Sequence, residues 1–231
     1  MKIKMTNPFR RLNLAEWIIL IASQVVVTAS FLLVPDRDYL TLAASLIGVT
    51  ALIFVAKGMV LGQILVVIFA AFYGIISFFF AYYGEMITYL GMSLPIAIIS
   101  IVSWVRNPYG DSGRVRVGKM TPVGALIMAL ATLSVTVAFY FILRALGTAN
   151  LIVSTLSVAT SFLAAYLTVM RNPFYAVAYS FNDIVLIVLW IMASVENIAY
   201  LPMVMCFVMF LVNDIYGFIN WMRMKRAQEN L

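Results

Sequence analysis

Two asparagine–aspartate pairs lie inside apolar stretches in the C-terminal half of the chain, Asn182–Asp183 and Asn213–Asp214. Polar groups are costly in the hydrocarbon of a bilayer, so they usually face a bundle interior, a cavity or a substrate path. Amides offer hydrogen-bond donors and acceptors, and buried carboxylates can carry protons. We therefore expect these four residues to mark a polar site within the membrane.

Helical spacing brings further polar and aromatic residues onto common faces with these pairs. Residues 175, 179, 182 and 190 share one face of a helix, residues 213, 216 and 220 share another, and residues 63, 73 and 77 lie close together on a third. The predicted substrate-binding residues are Asn182, Asn213, Tyr179, Trp190, Tyr216, Asn220, Gln63 and Tyr73.

A pocket of amides and aromatic rings suits a neutral or weakly charged aromatic glycoside, because rings stack on a flat heterocycle for ~1–3 kcal/mol each. The structural alternative is that a membrane asparagine bonds a neighbouring helix, for ~0.6 kcal/mol on average. Asp183 and Asp214 either carry protons or pair with backbone donors and tyrosine hydroxyls. Each points ~100° away from its asparagine, so the carboxylates need not line the same cavity.

Aromatic residues near helix ends usually form an interfacial belt. We expect that role for Tyr82, Tyr83, Tyr89, Tyr200, Trp17, Trp104 and Trp221.

The composition identifies an integral membrane protein, with 65% apolar and 10% charged residues among 231. A soluble domain is nearer half apolar and a quarter charged. A spanning helix needs ~20 apolar residues, and this rule predicts an all-α protein of eight transmembrane helices. They cover residues 14–34, 39–56, 59–83, 86–105, 120–143, 151–170, 174–195 and 198–222. The first is too long for the apolar part of a signal peptide, so we expect it to remain.

Basic residues predict the orientation, because short cytoplasmic loops are enriched in lysine and arginine. With a cytoplasmic N-terminus, the outer side holds two basic residues, Arg37 and Arg144. The cytoplasmic side holds thirteen, namely Lys2, Lys4, Arg10, Arg11, Lys57, Arg106, Arg114, Arg116, Lys119, Arg171, Arg223, Lys225 and Arg226. We therefore expect both termini in the cytoplasm. The net charge of +6 reflects this topology and does not indicate nucleic-acid binding.

Motifs of common enzymes and metal sites are missing from the sequence. There is no histidine and one cysteine, Cys206, so a disulfide within the chain and a cysteine–histidine metal site are excluded. Gly113–Lys119 matches the glycine and lysine spacing of a phosphate-binding loop, but Met120 stands where Ser or Thr would bind Mg²⁺. We predict no enzyme activity, no catalytic residues, no metal and no cofactor. A membrane scaffold would not require the buried amides and carboxylates.

A weak internal repeat relates residues 42–104 to residues 156–221. Each stretch has a helix ending in a basic residue, a helix ending at an acidic turn, and a last helix closing on SWVR or NWMR. Four crossings separate the two, so the repeats are parallel, as in transporters that bind substrate between two halves. The prediction is one domain over 1–231, with an extra helix at 14–34, triplets at 39–105 and 151–222, and a linker helix at 120–143.

The stretches AYYGEMITYL and NDIYGFINW (213–221), together with the position of Asn182, resemble the PnuC family of bacterial vitamin transporters. The resemblance implies a 3+1+3 core similar to that of SWEET carriers, and homotrimers. It also implies facilitated uptake of nicotinamide riboside by alternating access, with trapping by a cytoplasmic kinase.

The seventh helix of this chain departs from a pattern of the family. Members that carry nicotinamide riboside often have paired tryptophans one and two turns before the asparagine of the seventh helix, where this chain has Tyr175 and Ala178. The alternative is the same fold carrying thiamine, riboflavin or a deoxynucleoside, with or without proton coupling.

Overall fold

Eight long helices form a bundle in the computed structural model, which describes residues 7–35, 38–79, 83–148 and 150–230. All eight are long and apolar enough to cross a membrane, which confirms the predicted number. They are α1 (Leu14–Leu33), α2 (Tyr39–Ala56), α3 (Val60–Phe79), α4 (Tyr83–Val105), α5 (Pro122–Ala145), α6 (Leu151–Val169), α7 (Tyr175–Glu196) and α8 (Leu201–Glu229). Short 3₁₀ turns precede α1 and α8, at Pro8–Arg11 and Ile198–Tyr200.

The predicted helix ends agree with the structure within a few residues, except at α8. That helix was expected to end at residue 222, where the apolar stretch ends, but it continues to Glu229. The added residues contain Arg, Lys, Ala, Gln and Glu and no Gly or Pro, so they favour a helix without being apolar. Residues 80–82, predicted as the end of the third helix, and Lys2, Lys4 and Arg37, used for the orientation, lie outside the described residues.

Local sequence explains where several helices begin. Asn13 and Glu16 form a reciprocal capping box at the start of α1, with each side chain accepting the backbone N–H of the other. The Thr121 hydroxyl caps α5 by accepting from the Gly124 N–H, and Pro122 occupies the first position, where a missing N–H costs nothing.

The fourth helix is irregular where a kink was expected near Pro95. A π-helical turn covers Thr88–Ser93 and ends two residues before the proline. Proline cannot donate to the preceding turn, and its ring crowds the carbonyl four residues earlier, so a wider turn relieves both problems. The turn buries Tyr89 against Tyr73, with ring centroids 4.2 Å apart.

The helix contacts are compatible with two triplets, α2–α4 and α6–α8, and two outer helices, α1 and α5. Within the triplets, α2 packs on α3, α3 on α4, α6 on α7 and α7 on α8. Between them, α2 packs on α8 and α4 on α6. The outer helix α1 packs on α2 and α8, and α5 packs on α6. Exchanging the triplets would exchange the α2–α8 and α4–α6 contacts, which is compatible with the predicted repeat.

The interfacial role expected for Trp104, Trp221 and Tyr89 is wrong. Trp104 and Trp221 are 1% and 0% exposed, and their rings pack 5.4 Å apart between the triplets. Position along a helix indicates depth in the membrane but not the face of the helix. These residues lie on faces that meet the opposite triplet, so packing covers them.

The two ends of the bundle differ in charge. We call the end that carries Lys57, Arg171 and Arg226 the basic end, and the other the acidic end, where Glu85 and Glu196 lie. Partial burial lowers the pKa of the Arg171 guanidinium from its ordinary value, and arginine remains charged in proteins.

Candidate functional site

A narrow cavity lies between the two triplets. Its volume is about 80 Å³, which is enough for a few water molecules at roughly 10–15 Å³ each. All six triplet helices contribute to its walls. The predicted residues that line it are Gln63, Tyr179, Asn182, Asp183 and Asp214.

Asn182 is held by two hydroxyl groups from α6. Thr160 Oγ1 and Ser161 Oγ each lie 2.9 Å from Asn182 Oδ1. Ser161 donates to it, and Thr160 shares its one proton between Asn182 Oδ1 and the Leu156 carbonyl, which is also 2.9 Å away. With one end of the amide bound, the nitrogen remains as the group that Asn182 offers to the cavity. A side chain fixed in this way can recognise a hydrogen-bond acceptor on a ligand, such as a carboxamide or hydroxyl oxygen.

The carboxyl groups of Asp183 and Asp214 face each other across the α7–α8 contact, close enough to share a hydrogen bond. Both are buried, and both line the cavity beside Asn182. Because carboxylates in contact within a poorly polar interior repel each other, a hydrogen bond between them requires a proton on one. The sequence did not require the two to meet, and the structure brings them together.

Gln63 lies in the second turn of α3, towards the basic end of the cavity. It is 2% exposed, and its amide makes no hydrogen bond to the residues that the structure describes. Tyr179 lies near the same end, with its hydroxyl beside the Thr168 side chain. The cavity therefore has an amide and a phenol on this side, and both can bond to a ligand.

An aromatic layer closes the cavity towards the acidic end. Tyr89 and Phe69 line the cavity. Tyr73 packs behind them, and its ring lies 4.2 Å from Tyr89 and 6.3 Å from Trp190. The predicted binding residues Tyr73 and Trp190 thus support the wall and are absent from the lining.

A smaller cavity of about 40 Å³ lies beyond this layer and is lined by Glu85, Trp190 and Glu196 among others. Trp190 belongs both to this lining and to the aromatic layer, because its ring lies 6.3 Å from that of Tyr73. Glu85 is 5% exposed within it.

The remaining three predicted binding residues face other helices. Asn213 Nδ2 donates to Ser23 Oγ at 3.1 Å and to the Met209 carbonyl at 2.7 Å. The Tyr216 hydroxyl donates to Glu16 at 3.0 Å, and Asn220 Nδ2 donates to the Ala56 carbonyl at 2.7 Å. The three share the face that their spacing predicted, but that face packs on α1 and α2.

Sequence reasoning missed the hydroxyl groups of α6, assigned Tyr89 to the membrane interface, and placed Tyr175 on the face of Asn182 without counting it among the binding residues. Ser161, Thr168, Tyr89 and Tyr175 all line the cavity. A signal existed, because the buried hydroxyl residues of α6 recur at helical spacing, namely Ser154, Ser157, Ser161 and Thr168. Such a stripe marks a face that meets other helices.

The basic end of the bundle is closed by two matching sets of hydrogen bonds between the triplets. On α4, Ser103 Oγ donates to the Val169 carbonyl at 2.6 Å, and Trp104 Nε1 donates to the Thr168 carbonyl at 3.0 Å. On α8, the Asn220 amide and Trp221 Nε1 bind the last carbonyls of α2 at 2.7 and 2.9 Å. Each pair ties the end of one triplet to the first helix of the other.

The loop between α4 and α5, residues 106–121, lies over these hydrogen bonds, and we call it the linker. Val115 N–H donates to the Gly58 carbonyl, and Gly118 N–H donates to the Arg171 carbonyl, both at 2.9 Å. The linker thereby binds equivalent turns of both triplets. With the aromatic layer at the other end, the central cavity is enclosed on both sides.

Comparison with known proteins places this geometry in a family. Residues 38–223 match the model of a family described as nicotinamide mononucleotide transporter. Two similar proteins are each named nicotinamide riboside transporter PnuC. The one from Neisseria mucosa is 26% identical over 216 residues, covering 91% of this chain and 81% of the relative. The one from Haemophilus influenzae is 24% identical over 192 residues, covering 82% of this chain and 81% of the relative.

The fold agrees with a solved structure described as the vitamin B3 transporter PnuC. The TM-score is 0.80 at 24% identity, and the match covers 94% of each chain. The family match includes both triplets and every residue that lines the central cavity. This membrane protein belongs to the nicotinamide mononucleotide transporter family.

Proposed function

We propose that this protein carries nicotinamide riboside across the bacterial cytoplasmic membrane by alternating access of its two helix triplets, without ATP. The observation that carries the proposal is Asn182, held by two hydroxyls in an enclosed cavity between the triplets. The names of the two relatives support the substrate.

The groups around the cavity match the chemistry of this substrate. Nicotinamide riboside has a carboxamide and ribose hydroxyls, which Asn182 and Gln63 can bond through their amides. Its pyridinium ring is flat and positively charged, so it can stack on the tyrosines of the lining. The Asp183–Asp214 pair supplies negative charge next to that ring, so the cationic substrate needs no separate anion to accompany it.

The size of the cavity supports a contracted, closed conformation. Pockets for ligands of this class measure ~300–1,000 Å³, whereas the central cavity measures about 80 Å³. Substrate entry therefore requires the triplets to separate. The hydrogen bonds at the basic end and the aromatic layer at the acidic end are the contacts that alternate opening would break in turn.

The same proposal includes the orientation of the protein in the membrane, its oligomeric state and the trapping of its substrate. The basic end, with both termini, faces the cytoplasm, because that arrangement follows the distribution of Lys and Arg. A cytoplasmic kinase phosphorylates the entering nucleoside and traps it. The protein is a homotrimer, as the family resemblance implies. In this chain α5 packs on α6 and exposes most of its apolar surface, which meets lipid or another subunit.

Calorimetry of the purified protein with nicotinamide riboside, thiamine, riboflavin and thymidine tests the substrate. We expect saturable binding of nicotinamide riboside, which weakens at least tenfold in Asn182→Ala, a loss typical of a buried hydrogen-bond partner. The matched control is Asn213→Ala, which removes an equally buried amide that faces α1 and should keep the affinity within about threefold. Saturation by another of the four compounds, with no heat from nicotinamide riboside, would overturn the substrate and leave the transporter.

Proton coupling is the second candidate, and the contact between Asp183 and Asp214 favours it. Uptake into reconstituted vesicles that contain a nucleoside kinase distinguishes proton coupling from facilitated transport. Under the first proposal, uptake persists when an uncoupler abolishes the proton gradient. Collapse of uptake with the kinase still active, together with loss of pH dependence in Asp214→Asn, would establish coupling instead.

A further inference from the structure

A third cavity lies at the basic end, outside the route between the triplets. Its volume is about 470 Å³, several times that of the central cavity. The walls come from the turn before α1, the α2–α3 turn, the linker between the triplets and the extension of α8. They are formed by Arg11, Lys57, Met59, Tyr109, Ser112, Arg114, Met224, Ala227 and Gln228.

The lining carries three positive charges and no acidic side chain. Arg11 reaches the linker, where its Nη1 donates to the Ser112 carbonyl at 2.7 Å. The Arg114 guanidinium makes no hydrogen bond or ion pair with the residues that the structure describes. Tyr109 and Gln228 add polar groups that can donate to an anion.

The third cation, Lys57, separates this cavity from the interior of the bundle. Its Nζ lies 2.6 Å from Glu16 Oε2, and the two side chains are 5% and 1% exposed. The carboxylate approaches the ammonium from the α1 side and stays outside the lining. An ammonium has three donors, so Lys57 can bind a ligand while it is paired with Glu16.

We propose that this basic cavity binds a ligand bearing a phosphate group. Arginine is suited to phosphate because its planar fork makes paired, charge-assisted hydrogen bonds. A volume of about 470 Å³ lies in the range of ligand pockets. The phosphate comes either from a soluble phosphate monoester, such as the phosphorylated product of the transported nucleoside, or from the headgroup of an anionic lipid.

Occupancy of this cavity would strengthen the closure of the basic end. The linker is already tied to the α8 extension, since Val117 N–H donates to Gln228 Oε1 at 2.8 Å and Gln228 Nε2 donates to the Val115 carbonyl at 3.2 Å. A phosphate bridging Arg114 and Lys57 would add charge-assisted bonds between the linker and the α2–α3 turn, which the Val115 N–H and the Gly58 carbonyl already join. If the protein is the transporter proposed above, such a ligand slows release of substrate at this end.

Binding of nicotinamide mononucleotide to the full chain, in nanodiscs of phosphatidylcholine alone, tests the soluble source. We expect saturable heat that weakens about tenfold or more in Arg114→Gln, as for loss of a charge-assisted bond. The control is Arg116→Gln, which removes the same charge two residues further along the chain. The Arg116 side chain is exposed and lies outside the lining. Arg114→Lys should recover part of the affinity. Asn182→Ala should not change it, because that residue belongs to the central cavity.

Nanodiscs that contain phosphatidylglycerol test the lipid source without any soluble phosphate. Thermal stabilisation by this lipid that is lost in Arg114→Gln and kept in Arg116→Gln assigns the cavity to a headgroup. The proposal is overturned if neither probe binds, or if the two arginine variants behave alike in both arms. Nicotinamide riboside binding in the same samples reports separately on the proposed function, so the failure of one proposal is distinguishable from that of the other.

Discussion

At the scale of single residues, hydrogen-bond partners decide which polar groups reach the cavity. Asn182 and Asn213 are both buried in helices, at 3% and 1% exposure. Hydroxyls of α6 bind the side-chain oxygen of Asn182 and leave its nitrogen to the cavity. Asn213, in contrast, donates its side-chain nitrogen to Ser23 of α1 and to a carbonyl of its own helix. Asp183 lies ~100° around the helix from Asn182, and both reach the cavity because its lining wraps around α7.

Thr160 is a positioning residue, because it binds Asn182 from outside the cavity lining. We expect Thr160→Val to lower substrate affinity about tenfold, as expected for one hydrogen bond that orients a buried amide. The thermal midpoint should change little, and Thr160→Ser should restore the affinity. The measurement is calorimetric titration with nicotinamide riboside.

The control for that variant is Thr155→Val on the same helix, where the hydroxyl bonds the Leu151 carbonyl within α6. An equal loss of affinity in both variants would show that α6 acts through its packing and that Asn182 is not specifically oriented.

At the scale of helices, the closing motifs of the two triplets have the same function. Trp104 and Trp221 each donate an indole N–H to a carbonyl in the last turn of the opposite triplet's first helix. Ser103 and Asn220, the residues just before them, bind the next carbonyl along. The Thr168 and Val55 carbonyls each accept a backbone N–H of the following turn as well, at 3.0 and 2.9 Å. Each indole therefore adds a second donor to a helix-end carbonyl.

Replacement of either indole by a phenyl ring should weaken this closure by about 0.5–1.5 kcal/mol, the net contribution of one hydrogen bond, because the carbonyl keeps its backbone donor and loses the indole N–H. We expect Trp104→Phe and Trp221→Phe to lower the thermal unfolding midpoint in detergent by similar amounts. Trp17→Phe is the comparison, since Trp17 is 37% exposed and packs on Phe9 near the start of α1. A midpoint that drops as far in Trp17→Phe would argue against a special role for the pair.

At the scale of the whole molecule, a buried ion pair ties the outer helix α1 to the triplets. Glu16 binds Lys57 of the α2–α3 turn at 2.6 Å and accepts the Tyr216 hydroxyl of α8 at 3.0 Å. It also accepts the Asn13 N–H of its own helix cap at 2.7 Å. One carboxylate thus joins the start of α1 to two segments that lie 41 and 200 residues further along the chain.

Glu16→Gln should destabilise the protein by about 3–5 kcal/mol, because it leaves the Lys57 ammonium buried without its counter-charge. The double variant Glu16→Gln/Lys57→Met removes both charges and should recover most of that loss. Reversible unfolding in mixed detergent measures each. If the double variant is no more stable than the single one, the pair's role is packing rather than charge compensation.

Much of this architecture was determined by the sequence itself. Composition and apolar length predicted eight spanning helices, because a bilayer demands about twenty apolar residues per crossing. Helical spacing correctly grouped Asn213, Tyr216 and Asn220 on one face, and the asparagine–aspartate pair at 182–183 marked the central cavity. These inferences depend on residue type and on spacing along a single helix, which can be read from residues that are close in sequence.

The tertiary structure decided which neighbour each face meets. It turned the Asn213 face towards α1 and α2 and brought Asp183 against Asp214. It also buried the tryptophans that sequence reasoning assigned to the membrane interface. Spacing fixes the angle of a side chain around its own helix, but the rotation of that helix is set by contacts with segments far away in the chain.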